Sequence, residues 1–74
     1  MDKVRLLERE MIMLSGPLAG FVIRKQIKDM GLDAEGFPEE RMGELIDKVV
    51  DNGIYDASIK PKTKKMLKKR LLKS

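Results

Sequence analysis

Cysteine, histidine and tryptophan are all missing from this 74-residue chain. Without cysteine no disulfide can restrain the unfolded state, and no thiolate can act as nucleophile or metal ligand. Without histidine the usual nitrogen ligand of a small metal site is also gone. The familiar Ser–His and Cys–His nucleophile–base pairs are excluded with them. Aromatic residues are almost absent: Phe21, Phe37 and Tyr55 are scattered along the sequence. That leaves no row of stacking side chains of the kind that single-stranded nucleic acid needs. The longest apolar run is a few residues, far short of the roughly 20 that span a bilayer. No apolar stretch follows Met1-Asp2-Lys3, so no secretory signal peptide is read there and a cytoplasmic setting is expected.

What is present is aliphatic and charged, at 42% hydrophobic and 38% charged residues. The length suits one domain, and a chain this short buries only about 60% of its unfolded surface. Its core has to come from aliphatic packing, within one copy or shared with a second copy or a partner. Lys, Arg and Glu dominate the polar positions, beside one Asn (Asn52) and one Gln (Gln26), a balance that leans towards thermophile proteins.

The periodicity predicts an all-α fold, a compact bundle of about four short amphipathic helices in a single domain. The first runs from Lys3 to Leu14, with Val4, Leu7, Met11 and Leu14 as one stripe and Leu6, Ile12 and Met13 away from it. Apolar groups on two sides mean a central helix or one that pairs outside the monomer. Leu6, Ile12 and Met13 are therefore the candidate protein interface. Pro17 is placed at the start of the second helix and Gly31 just past its end at Met30. Leu18, Ala19, Phe21, Val22, Ile23, Ile27 and Met30 cover most of that helix, with Arg24, Lys25 and Lys28 as its wet side, so it is expected to be the most buried. Residues 32–37 read as a loop. The third helix begins near Pro38 and ends before Gly53, with Met42, Leu45, Ile46, Val49 and Val50 in the spacing of a core-facing stripe. A fourth continues from Pro61.

Few side chains invite a chemical reading. Ser15, Ser58 and Thr63 have no base to activate them and read as local caps. The segment from Asp29 to Gly36 resembles a calcium loop only until the ligands are placed. With Gly36 at the invariant glycine, Gly31 falls where the first Asp belongs and Met42 where the bidentate Glu belongs, so the loop reading fails. No glycine follows a strand in a phosphate-binding pattern. Gly20 and Gly43, inside helices, read as points of close helix packing. No catalytic residue, cofactor, metal or small-molecule substrate is expected, and the chain is read as a non-enzyme.

Charge is unevenly spread. Residues 60–74 hold eight bases and no acid, so with a total of +4 the preceding 59 residues carry −4. Glu40, Glu44, Asp47 and Asp51 share one face of the third helix, which must meet water or a cationic partner. In the last helix most lysines fall opposite Thr63, Met66, Leu67 and Leu71. Lys62, Lys64, Lys65, Lys68, Lys69 and Lys73 are the candidate contacts for an anionic partner. Three readings stand: a closing helix whose apolar half packs while its lysines stay solvated or meet the acidic third helix, a nucleic-acid contact, and an anionic protein or membrane contact.

The segment from Leu6-Leu7 through Gly16-Pro17-Leu18-Ala19 to Val22, Ile23 and Ile27 resembles a small helical domain of unassigned role. That domain occurs at the ends of bacterial and archaeal signalling proteins, including kinase-linked chains. Met42-Gly43-Glu44-Leu45-Ile46 would fill its third helix, so the likeness covers roughly residues 6–50, and the basic tail departs from it. The resemblance implies an adaptor role and carries over no catalytic residue. The expected function is thus a helical protein–protein interaction or regulatory module, self-associating or docked on a protein partner. The alternative is a small nucleic-acid-binding protein using the lysine-rich helix.

Overall fold

Helices make up the regular structure of residues 2–72, the part of the chain described by the structure, a computed structural model. α1 spans Lys3–Ser15 and α2 Ala19–Asp29; a 3-10 turn, Glu39–Arg41, leads into α3, Met42–Gly53, and α4 covers Lys60–Leu71. The class is all-α, with the helices packed on one another as a compact bundle. Its radius of gyration, 11.1 Å, matches the about 11 Å of a close-packed chain of this length.

Local chemistry sets the helix ends. Asp2 caps α1, its carboxylate accepting the Val4 N–H at 2.9 Å. α1 stops at Gly16, whose φ of 101° and ψ of −179° belong to a region essentially closed to other residues. α2 starts two residues later than Pro17 suggests, because Pro17 and Leu18 are spent in the turn, with Ala19 N–H donating to the Gly16 carbonyl. Gly31 ends α2 as expected. At φ 74° it forms a Schellman motif, with Leu32 N–H donating to Ile27 C=O at 3.1 Å and Gly31 N–H to Lys28 C=O at 2.9 Å. Ser15 caps no following helix; its hydroxyl donates back to Met11 C=O within the last turn of α1.

α3 is the axis of the core. Met42, Leu45, Ile46, Val49 and Val50 are each at most 1% exposed, and α3 packs on all three other helices. Around it lie Val4, Leu7 and Met11 of α1, Ala19, Ile23 and Ile27 of α2, and Leu67 and Leu71 of α4. This overturns the expectation that α2 is the most buried helix. Phe21 is 71% exposed, because it precedes Arg24 and Lys25 by three and four residues and shares their wet face. Leu18 lies in the exposed turn, and Leu14 is 46% exposed because the stripe of α1 outruns the core by one turn.

Direction follows from contacts at the ends. Lys3, at the start of α1, pairs with Glu39 just before α3. A Cβ at Gly53 would lie 3.2 Å from Met11 Cε and 3.7 Å from Val22 Cγ1, so α3 finishes against the last turns of α1 and the first of α2. α3 therefore runs alongside α1, and α2 and α4 run against them. One end of the bundle collects the end of α1, the start of α2, the end of α3 and the start of α4. The opposite end is closed by the link between α2 and the 3-10 turn, where half-buried Leu32 and Phe37 pack on the core.

The interior glycines differ. Gly20 is buried beside Glu8 of α1, whose Oε2, the tip of a flexible side chain, would stand 2.6 Å from a Cβ there and would have to swing aside. Gly43 corrects the expectation of close packing: a Cβ would meet only Leu72 Cδ1 at an ordinary 3.7 Å. Gly43→Ala is accordingly expected to raise stability by up to about 1 kcal/mol. Gly31→Ala should lower it by about 1–2 kcal/mol through its left-handed φ. Urea denaturation of the two variants, with opposite shifts in midpoint, checks the pair.

Candidate functional site

Two surfaces stand out, a charged seam between α3 and α4 and an apolar end. In the seam, Lys64 Nζ lies 2.8 Å from Asp51 and Lys68 Nζ 2.9 Å from Asp47. Both pairs step by one turn on each helix in opposite directions, and the next step brings Leu72 over Gly43. Lys60 Nζ donates to the Asp51 carbonyl at 3.0 Å. α3 has no base in its own last turn, so the first residue of α4 supplies the cation that its C-terminal carbonyls favour. Glu44 pairs instead with Arg41, 2.9 Å away. The acidic row is thus largely occupied by neighbouring bases, Glu40 remaining exposed.

The hydrogen bond from Lys64 holds the Asp51 carboxyl below its ordinary range and pushes the Lys64 ammonium up. Glu44 is held low by Arg41 in the same way. Asp56 is lowered by the Ser58 hydroxyl at 2.7 Å and the Ser58 N–H at 2.9 Å.

The six lysines proposed as anionic-partner contacts therefore divide. Lys64 and Lys68 already hold carboxylates of α3. Lys62, Lys65 and Lys69, spaced three and four residues apart, form an outward row that meets no carboxylate within 4 Å among the described residues. Arg70 of α4 reaches across to Glu10 of α1 at 2.7 Å. Lys73 lies outside the described residues.

The candidate interface Leu6, Ile12 and Met13 also divides. Leu6 is partly buried against the core, on the face of α1 that carries Glu10 and its Arg70 partner, one turn away. Ile12 and Met13 are exposed, and the fold adds Leu14, Leu18, Phe21, Tyr55 and Ile59. These seven are all but one of the exposed large apolar side chains of the described residues, the other being Leu72. All seven lie at the end where α1 and α3 finish and α2 and α4 begin. Tyr55 is 99% exposed. The separation of Phe21 from Tyr55 in sequence is lost in the fold, which sets both at this end. Phe21 was legible as exposed from its spacing to Arg24 and Lys25, but Tyr55 carries no comparable signal.

The surface depressions are lined largely by charged side chains. The one between α1 and α2 has Val4 and Ile23 in its floor and Asp2, Arg5, Glu8, Arg24 and Glu35 on its walls. There Arg24 lies 3.5 Å from Glu8, so two of these groups already face each other. Among the described residues no three acids approach closely enough to hold a metal ion, and no helix is long and apolar enough to cross a membrane. Comparison with protein-family models, with curated proteins and with solved structures found no match to this chain.

Asp47→Lys is expected to destabilise the bundle by like-charge contact with Lys68, and adding Lys68→Asp should recover most of the loss. A double-mutant cycle should return a coupling of at most about 1 kcal/mol for so exposed a pair. Because folding lowers the Asp51 pKa, its contribution is present above the ordinary Asp range near 4 and disappears as the pH falls through the folded-state value. Asp51→Asn should therefore lose less stability than the native chain between pH 7 and about pH 2.5, read as the shift in urea midpoint.

Proposed function

We propose that this chain is a non-enzymatic helical interaction module and that its contact surface is the apolar end. The carrying observation is the gathering of Ile12, Met13, Leu14, Leu18, Phe21, Tyr55 and Ile59 there. At roughly 100 Å² for each exposed side chain, these seven together expose more apolar surface than the about 300–600 Å² of the largest patch of an ordinary monomer. The charge seam supports the same reading, since it commits Lys64 and Lys68 to α3 and reduces what α4 offers to phosphates. The Gly16-Pro17-Leu18-Ala19 turn, on which the resemblance to a signalling-protein domain rests, lies on this end. The adaptor role implied by that resemblance would be exercised here.

A second reading keeps the outward lysines Lys62, Lys65 and Lys69 as a contact for nucleic-acid phosphates, with binding that falls steeply as salt rises. A photo-crosslinking residue placed at Leu18 or at Lys65, irradiated in native lysate, separates the two. Position 18 should yield protein adducts that survive nuclease. Adducts from position 65 alone, lost on nuclease treatment, would replace this reading with the second, and silence at position 18 would remove it.

A further inference from the structure

We propose that the occupant of the apolar end is a second copy of this chain, joined end to end about a two-fold axis with Leu18, Phe21 and Tyr55 at the centre. The proposal rests on reading that end as a docking surface and names what docks. A two-fold contact places the same patch on both sides, so the patch must be large enough and its charges self-complementary.

The area fits. Seven exposed side chains of roughly 100 Å² each approach the about 800 Å² per partner of a standard stable interface. Phe21 and Tyr55, the most exposed aromatics, are of the residue classes that anchor such contacts.

The rim fits as well, because it carries both signs. Asp56 adjoins Tyr55, and its carboxylate is fixed by two hydrogen bonds from Ser58. Lys62 lies three residues beyond Ile59 and meets no carboxylate within 4 Å among the described residues. A rim of one sign would repel its own copy, whereas here an acid of one copy can meet a base of the other across the axis. The same Asp56 disfavours an anionic membrane, which would press a fixed carboxylate beside the most exposed aromatic against lipid phosphates. The bundle itself supplies a precedent: Leu32 and Phe37 cover its opposite end, and the second copy does the same for this one.

Sedimentation equilibrium of the purified chain from about 1 to 200 μM should show a monomer–dimer equilibrium in the micromolar range. Leu18→Asp and Phe21→Asp, both at exposed positions, should each weaken it at least about tenfold with unchanged helical circular dichroism. Lys65→Gln should leave it unchanged. A monomer throughout overturns the proposal, as does a dimer indifferent to Leu18→Asp and Phe21→Asp. If the pure chain is monomeric while position 18 crosslinks another protein in lysate, the second copy is wrong and the docking reading stands.

Discussion

Everything in this bundle is positioned against one aliphatic stripe, the Met42, Leu45, Ile46, Val49 and Val50 face of α3. With no disulfide and no histidine for a metal staple, burial of such side chains is the main favourable term open to the chain. Each contributes about 1.5–3 kcal/mol against an extended reference state, an upper bound. The stripe is wide enough to take three neighbours, so α1, α2 and α4 each bring a shorter row to it. Leu7 and Met11, Ile23 and Ile27, and Leu67 and Leu71 are those rows. A small core built this way leaves every other helix with one face to dispose of.

For α4 that disposal is electrostatic. Its apolar row is narrow, and its first turn holds Lys60 and Lys62 at the positive end of the helix dipole, an unfavourable place for a cation. Asp47 and Asp51 offset this by drawing Lys68 and Lys64 onto α3. The seam selects which face of α4 turns inward, but not its register. A slip of one turn would pair Lys60 with Asp51 and Lys64 with Asp47 equally well. Register comes instead from Leu67 and Leu71 entering the core and from the short link between α3 and α4. Pairs this exposed contribute little to stability, so the division is natural: apolar rows fix position and charges fix orientation.

How far the sequence was legible follows from the same division. The α3 stripe, the Gly31 stop and the apolar row of α4 were readable because one local rule governs each, period in two cases and left-handed backbone in the third. The acidic row and the lysine row were readable separately, yet their meeting was not, since it depends on α4 returning antiparallel along α3. Two of the errors share one cause. A helical wheel treats a helix as infinitely long, so Leu14 and Leu18 looked buried although the core ends before reaching them. Leu6 erred the other way, because the wheel cannot show α4 lying along that face of α1. The candidate interface was half-found for this reason, with Ile12 and Met13 seen from the first helix alone and Tyr55 and Ile59 supplied only by topology.

The two ends of the bundle then explain why an apolar surface is left at all. Helices of 11–13 residues are about 16–20 Å long, so their ends form a large part of the molecule and lateral packing cannot cover them. At one end the chain supplies its own cover, because the link from α2 to α3 is long enough to fold Leu32 and Phe37 back onto the core. At the other, Gly16-Pro17-Leu18 makes so tight a turn that Leu18 has no core to return to, and the link after α3 buries Ile54 while turning Tyr55 outward. A chain selected only for stability as a monomer gains nothing from apolar side chains at such positions. On the proposed reading, Met13, Leu18, Phe21 and Tyr55 are covered by a contact that completes the end from outside, as the link between α2 and α3 completes the other from within.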